Sequence, residues 1–161
     1  MAMTIKTEGL TEVSEMLTQL GKQAEDVAAG SLYDGAGIVA DAFTQAVRNI
    51  QTAPFKYAPP GQTRLPSPEE KAALMGKSGI AKFDKNGSEV DTIIGISGAA
   101  GYADVNGKRK AVRMIARSIN SGTSFMKKQP VFRRAKSTSE KAAKAAIVAK
   151  AEQMFDKIIN G

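Results

Sequence analysis

The chain contains no cysteine, no histidine and no tryptophan. Without cysteine there is no disulfide framework, no thiolate nucleophile and no zinc site of the cysteine type. Without histidine, Ser-His-Asp and Cys-His catalysis and His-ligated metals are excluded together, because histidine is the usual side chain titrating near neutral pH and the commonest transition-metal ligand. With few aromatic residues, six Phe and three Tyr, the core has to be built from Ile, Val, Leu, Met and Ala. No apolar run approaches the ~20 residues a membrane-spanning helix needs. The opening residues, Met1 to Lys6, lack the apolar stretch of a secretory signal, so synthesis in the cytoplasm and no membrane partner are expected. Proline is scarce outside one segment: Pro54, Pro59, Pro60, Pro66 and Pro68 crowd together, and only Pro130 lies elsewhere.

What is present fits one soluble domain. The 161 residues are 42% hydrophobic and 24% charged, enough chain for a sizeable core and no case for global disorder. Leu10, Val13, Met16, Leu17 and Leu20 recur at helical spacing, and Gly21 suggests a stop or hinge. A second helix is expected over about Lys22–Ile50, with Val27, Leu32, Ala36, Val39, Phe43, Ala46 and Val47 toward the core. Gly30, Gly35 and Gly37 would weaken it by roughly 1 kcal/mol each, which close packing against a neighbour would offset. Thr4–Thr7 reads as a short strand.

The proline segment, about 52–68, reads as an extended arm or loop, since proline lacks the amide donor and restricts the residue before it. Ser67-Pro68-Glu69-Glu70 is a helix start with a capping box, and the helix should run to Met75 and end at Gly76. Ile80–Lys85 and Val90–Ile96 form a hairpin turning at Asn86-Gly87. Ser97–Gly101 reads as a turn and Tyr102–Val105 as a third strand or edge. Val112, Ile115, Ala116 and Ile119 make one face of a short helix closed by Gly122. Phe125–Phe132 reads as a loop ending in a short strand, and a capping box at Ser137 and Glu140 is expected before a final helix carrying Ala143, Ile147, Ala151, Met154, Phe155 and Ile158. The whole is an α+β fold: a small antiparallel sheet with a central hairpin, packed against a long N-terminal helix pair and a C-terminal helix.

Charge is the strongest functional signal. The net charge is +7, and Lys108–Lys136 holds ten cations, with no acidic residue between Asp104 and Glu140. A solvated surface usually mixes signs, so this bias points to an acidic partner: nucleic acid through phosphate contacts, or an acidic protein face. Phe125 and Phe132 would stack on bases in the first case, although Phe132 beside Val131 suits a core better. The glycine-rich 95–101 stretch lacks the ending and the following helix of a phosphate loop. No carboxylate pair sits in an apolar context suited to acid/base work, so no catalytic, metal or cofactor-binding residue is assigned.

Several short motifs in combination resemble the gene-product-ten-like family of long-tailed bacteriophages, proteins of head–tail joining and tail completion. They are Gly9-Leu10 leading into the first helix, Arg48-Asn49 before Ala53-Pro54, the Asn86-Gly87 hairpin, and Ile115–Thr123 followed by Gln129-Pro130-Val131-Phe132-Arg133-Arg134-Ala135. Phe55–Gly79 is an insertion relative to that pattern, and Asn120 and Ser121 replace its acidic and aromatic residues. The resemblance implies a non-enzymatic virion protein of the neck or tail, without cofactors. It implies a homo-oligomeric ring, a hexamer by analogy, between the head–tail connector and the tail terminator or tail tube. Contact with packaged DNA is a further expectation. Candidate contact residues are Phe55, Tyr57 and Leu65 of the proline segment and Arg113, Arg117, Lys127, Lys128, Arg133 and Arg134 of the basic stretch. A stand-alone nucleic-acid-binding protein is the alternative.

Overall fold

The computed structural model describes residues 10–54, 57–80, 84–86, 89–92, 94–103 and 107–160, with 10–17, 19–20, 84–86, 89–91 and 102–103 described by their backbone only. The expected strand at Thr4–Thr7 and residue Phe55 lie outside them. The fold is α+β, and its frame is two long helices. The first, α1, spans Leu10–Arg48, and the last, α4, spans Val131–Asn160. At 1.5 Å per residue they are ~58 Å and ~45 Å long. Their mutual contact is the most extensive among the described residues.

Gly21 neither stops nor bends the chain into two helices: α1 runs through it, so the expected helix pair is one helix. A single glycine costs roughly 1 kcal/mol against alanine, which the flanking turns absorb. The close-packing role holds for two of the three glycines further along. A Cβ on Gly30 would stand 3.1 Å from the Met154 sulfur. One on Gly35 would collide with Ile147 and lie 3.0 Å from the Ala143 carbonyl oxygen. Around Gly37, by contrast, no described atom comes within 4 Å of that position. The pairings Gly30 with Met154, Gly35 with Ile147 and Phe43 with Phe132 (ring centroids 5.6 Å apart) run in opposite directions along the two helices, so they are antiparallel. Because α4 ends six residues after Met154, the first turns of α1 continue beyond it.

Between the two helices the chain makes small elements. Helix α2 (Pro68–Leu74) starts as its sequence dictates: the Ser67 hydroxyl accepts from the Glu70 amide, and the Glu70 carboxylate accepts from the Ser67 amide. Gly76, at φ +66°, turns the chain out of it. Strand β1 (Ser78–Ile80) pairs antiparallel with β4 (Ile94–Ile96), and β2 (Asp84–Asn86) with β3 (Glu89–Asp91). Asn86, expected in the turn, belongs to β2 and stands opposite Glu89, while Gly87 lies outside the described residues. Strand β5 (Ala99–Ala103) pairs irregularly with β6 (Arg109–Ala111). The turn expected over Ser97–Gly101 shrinks to the neighbourhood of Gly98 (φ +104°), because Ala99 already belongs to a strand.

Helix α3 (Val112–Ser121) buries the expected face of Val112, Ile115, Ala116 and Ile119. The largest correction comes next. Val131 and Phe132 open α4 instead of ending a strand, and Ser137 lies inside that helix instead of capping it. Pro130 suits a helix entrance, its carbonyl accepts from the Arg134 amide at 3.0 Å, and Asn120 Oδ1 accepts from the Arg133 amide at 3.2 Å. Glu140 instead pairs with Lys144, one turn on, at 2.7 Å.

The core sits at one end of the helix pair. Val47 of α1, Ile50 just beyond its end, Leu74 of α2, Ala100, the apolar face of α3, Met126, and Phe132 and Ala135 of α4 form one buried cluster.

Candidate interaction surface

Two of the motifs that carry the resemblance, Ile115–Thr123 and Gln129–Ala135, meet at one corner of this core. Gly122 ends α3 at φ +76°, its amide donating to the Ser118 carbonyl at 2.9 Å. A side chain there would be strained and would press on Lys128, whose Cβ lies 3.0 Å from the added atom. Thr123 closes the next turn: its hydroxyl accepts from the Met126 amide at 3.0 Å, and its own amide donates to the Met126 carbonyl at 3.0 Å. Gln129 acts as a clasp, with its amide donating to Ile119 at 2.8 Å and its side chain exchanging two 2.9 Å hydrogen bonds with the backbone of Gln51. Phe132 is buried edge-on against Phe43, whereas Phe125, the other expected stacking residue, is half exposed.

The same corner is stitched to the proline segment. Arg64 forms an isolated parallel bridge with Met126: its amide donates to Phe125, and the Lys127 amide donates to the Arg64 carbonyl, both at 2.8 Å. The Arg64 guanidinium then turns inward and grips Glu70 with two bonds of 2.6 and 2.7 Å. These side chains are 11% and 9% exposed. Burial pushes the Glu70 carboxyl up. The Arg64 hydrogen bonds, the Ser67 amide and the Arg64 and Lys110 charges push it down and prevail, so it titrates below the usual carboxylate range.

A depressed folded-state pKa contributes stability that is complete above the unfolded value near 4.5 and is lost as pH falls through the folded value. The expected result is a melting temperature that begins to drop below about pH 4.5, with Glu70→Gln flattening that limb. Thermal melts followed by circular dichroism at a series of pH values check it.

The candidate contact residues fall into two groups. Arg113, Arg117, Lys127, Lys128, Arg133 and Arg134 are all exposed, on α3, the 122–130 turn and the start of α4. The Arg133 amide donating to Asn120 Oδ1 and the Gln129 amide donating to the Ile119 carbonyl hold those three segments together. Neither α3 nor α4 has an acidic residue in its first turn, so arginines crowd the positive end of a helix dipole. A shallow groove beside them is lined by Thr63, Ser121, Gly122, Thr123, Met126, Lys127 and Lys128.

The proline residues divide. Tyr57 is 77% exposed, while Leu65 is half-buried between Arg64 and the buried Pro66. The loop's ends meet where the Ala53 amide donates to the Pro66 carbonyl at 3.0 Å, so its exit belongs to the fold and only its tip projects. The sequence reading missed Met114, an apolar side chain 55% exposed beside Arg113 and Arg117. Its position off the Val112–Ile119 stripe was the available signal.

The chain matches no protein-family model, and no curated protein or solved structure matches it significantly. No helix among the described residues is long and apolar enough to cross a membrane.

Proposed function

We propose that this chain is a structural subunit of the neck or tail-completion region of a tailed bacteriophage, working as a ring between head connector and tail. The observation that carries the reading is the convergence at one corner. Gly122, Thr123, Gln129, Pro130 and Phe132, residues of the resemblance, are spent on folding that corner. The six cations around it are turned outward. Such a surface meets acidic macromolecules, and the chain has neither histidine nor cysteine with which to do the commoner kinds of chemistry there. In virions made without this chain, electron microscopy should show full heads separated from tails; joined, infective particles would refute the reading.

The proline tip is the second proposed contact, with exposed Tyr57 as its anchor. Removing Tyr57–Gln62 keeps the Ala53–Pro66 closure and the Arg64–Glu70 pair, and loop-closure entropy changes only by about 0.6 kcal/mol per halving of length. The shortened chain should therefore melt like its parent and fail to complement particle assembly. Full complementation would remove the tip from the contact surface.

A nucleic-acid-binding role is favoured by one observation, exposed Phe125 beside Lys127 and Lys128. It requires DNA affinity that falls steeply with salt and is lost with Arg133→Ala/Arg134→Ala.

A further inference from the structure

Charge is segregated along this chain, and the segregation has a geometry. Helix α1 carries six acidic residues against Lys22 and Arg48, whereas 108–136 carries ten cations and no acid. On α1, Asp26, Tyr33, Gly37 and Asp41 follow at steps of seven, four and four, which is one side of a helix. Tyr33 is 57% exposed, Asp26 and Asp41 are exposed, and no described atom lies within 4 Å of the place a Gly37 Cβ would take. Asp34 borders this ridge and reaches Lys150 of α4 at 3.5 Å. On α3 the complementary pattern occurs: Arg113 and Arg117 one turn apart, with Met114 exposed beside them.

We propose that the α1 ridge of one copy receives the outer face of α3 from a second copy. The two patches match in kind. An aromatic ring flanked by carboxylates meets a thioether flanked by guanidinium groups, which suits sulfur–aromatic, cation–π and charge-assisted hydrogen bonds together. They match in size: α3 is ~15 Å long and Asp26 to Asp41 spans ~22 Å. Gly37, which relieves no crowding among the described residues of its own chain, lets the arriving helix approach closely. Because the two patches differ, the contact is heterologous, and repeating it closes a ring or extends a filament. The docking stands on the charge pattern; its closure into a ring rests on the neck reading above.

The test uses the full chain in analytical ultracentrifugation. Assembly should be present at about 50 mM salt and dissolve near about 1 M, where screening collapses exposed charge contacts. Asp26→Lys/Asp41→Lys and Arg113→Glu/Arg117→Glu should each weaken self-association about tenfold or more. Combining all four substitutions in one chain should restore it. Unchanged circular dichroism melts would show that the variants fold. A chain monomeric at low salt, variants that assemble like the parent, or a four-fold swap that fails to recover would each overturn the proposal. So would loss confined to the arginine variant together with loss of its DNA binding, which would assign that face to nucleic acid. Failure here leaves the neck reading to be judged separately, by whether the chain is found in particles.

Discussion

Arg64→Ala should unfold this protein more readily than any other single change to a polar residue. The guanidinium satisfies both oxygens of Glu70 inside a site where both side chains are about a tenth exposed. Removing one partner of a buried pair leaves the other as an uncompensated charge, which typically costs 3–5 kcal/mol. The loss is compounded because Glu70 also closes the α2 capping box through the Ser67 amide. In a chain of this size the expected fall in Tm is roughly 6–20 °C. Replacing the pair with apolar residues, Arg64→Met with Glu70→Leu, should recover much of it, since such swaps are often neutral. A fall of less than about 2 °C for Arg64→Ala, near the smallest effect of a 1 kcal/mol change, would show that the pair does not anchor the proline loop's exit.

Gly35→Ala should be the most damaging of the conservative helix substitutions. In an exposed helix, alanine is better than glycine by roughly 1 kcal/mol. Here the added methyl meets Ile147 and the Ala143 carbonyl oxygen across the α1–α4 interface, and a carbonyl in a helix backbone cannot step aside. Overpacking of this kind costs about 1–3 kcal/mol. The sign of the effect is therefore the informative quantity. Gly21→Ala, with no described atom within 4 Å of the added methyl, should be neutral or stabilising by up to about 1 kcal/mol. Chemical denaturation of both variants decides the matter: if Gly35→Ala is also stabilising, the two helices do not pack as closely as the structure has them.

The same two sites show what was legible in the residues and what was not. Ser67-Pro68-Glu69-Glu70 could be read as a helix start because every interaction it needs lies within four residues, and the capping box formed. Ser137 and Glu140 carry the same local pattern inside α4. Ser139 beside them is buried, with its hydroxyl donating to Ala135 at 2.7 Å, and the helix continues through. Nothing local distinguishes the two; the difference is Asn120, Gln51 and Phe43, which fix the helix entrance at Pro130 from other parts of the chain. The glycines of α1 likewise told of close packing without naming a partner.

The candidate surface was legible in its charge, since ten cations without an acid survive any fold. Its shape was not. That Leu65 is half-buried while Tyr57 stays out depends on Arg64 finding Glu70 and the backbone at Met126, contacts that no periodicity encodes. Asp26 and Asp41 on α1 carry no signal of their own in the sequence; which side of the helix they share with Tyr33 matters only once the positions of α4 and α3 are known.

The central claim is a place in a particle, so the most direct measurement is the location of this chain in purified virions. Cryo-electron microscopy of particles carrying an epitope tag after Gly161, decorated with antibody, should show label in a ring at the junction of head and tail. Label confined to the capsid interior with the DNA, or particles that contain no copy of the chain, would contradict it.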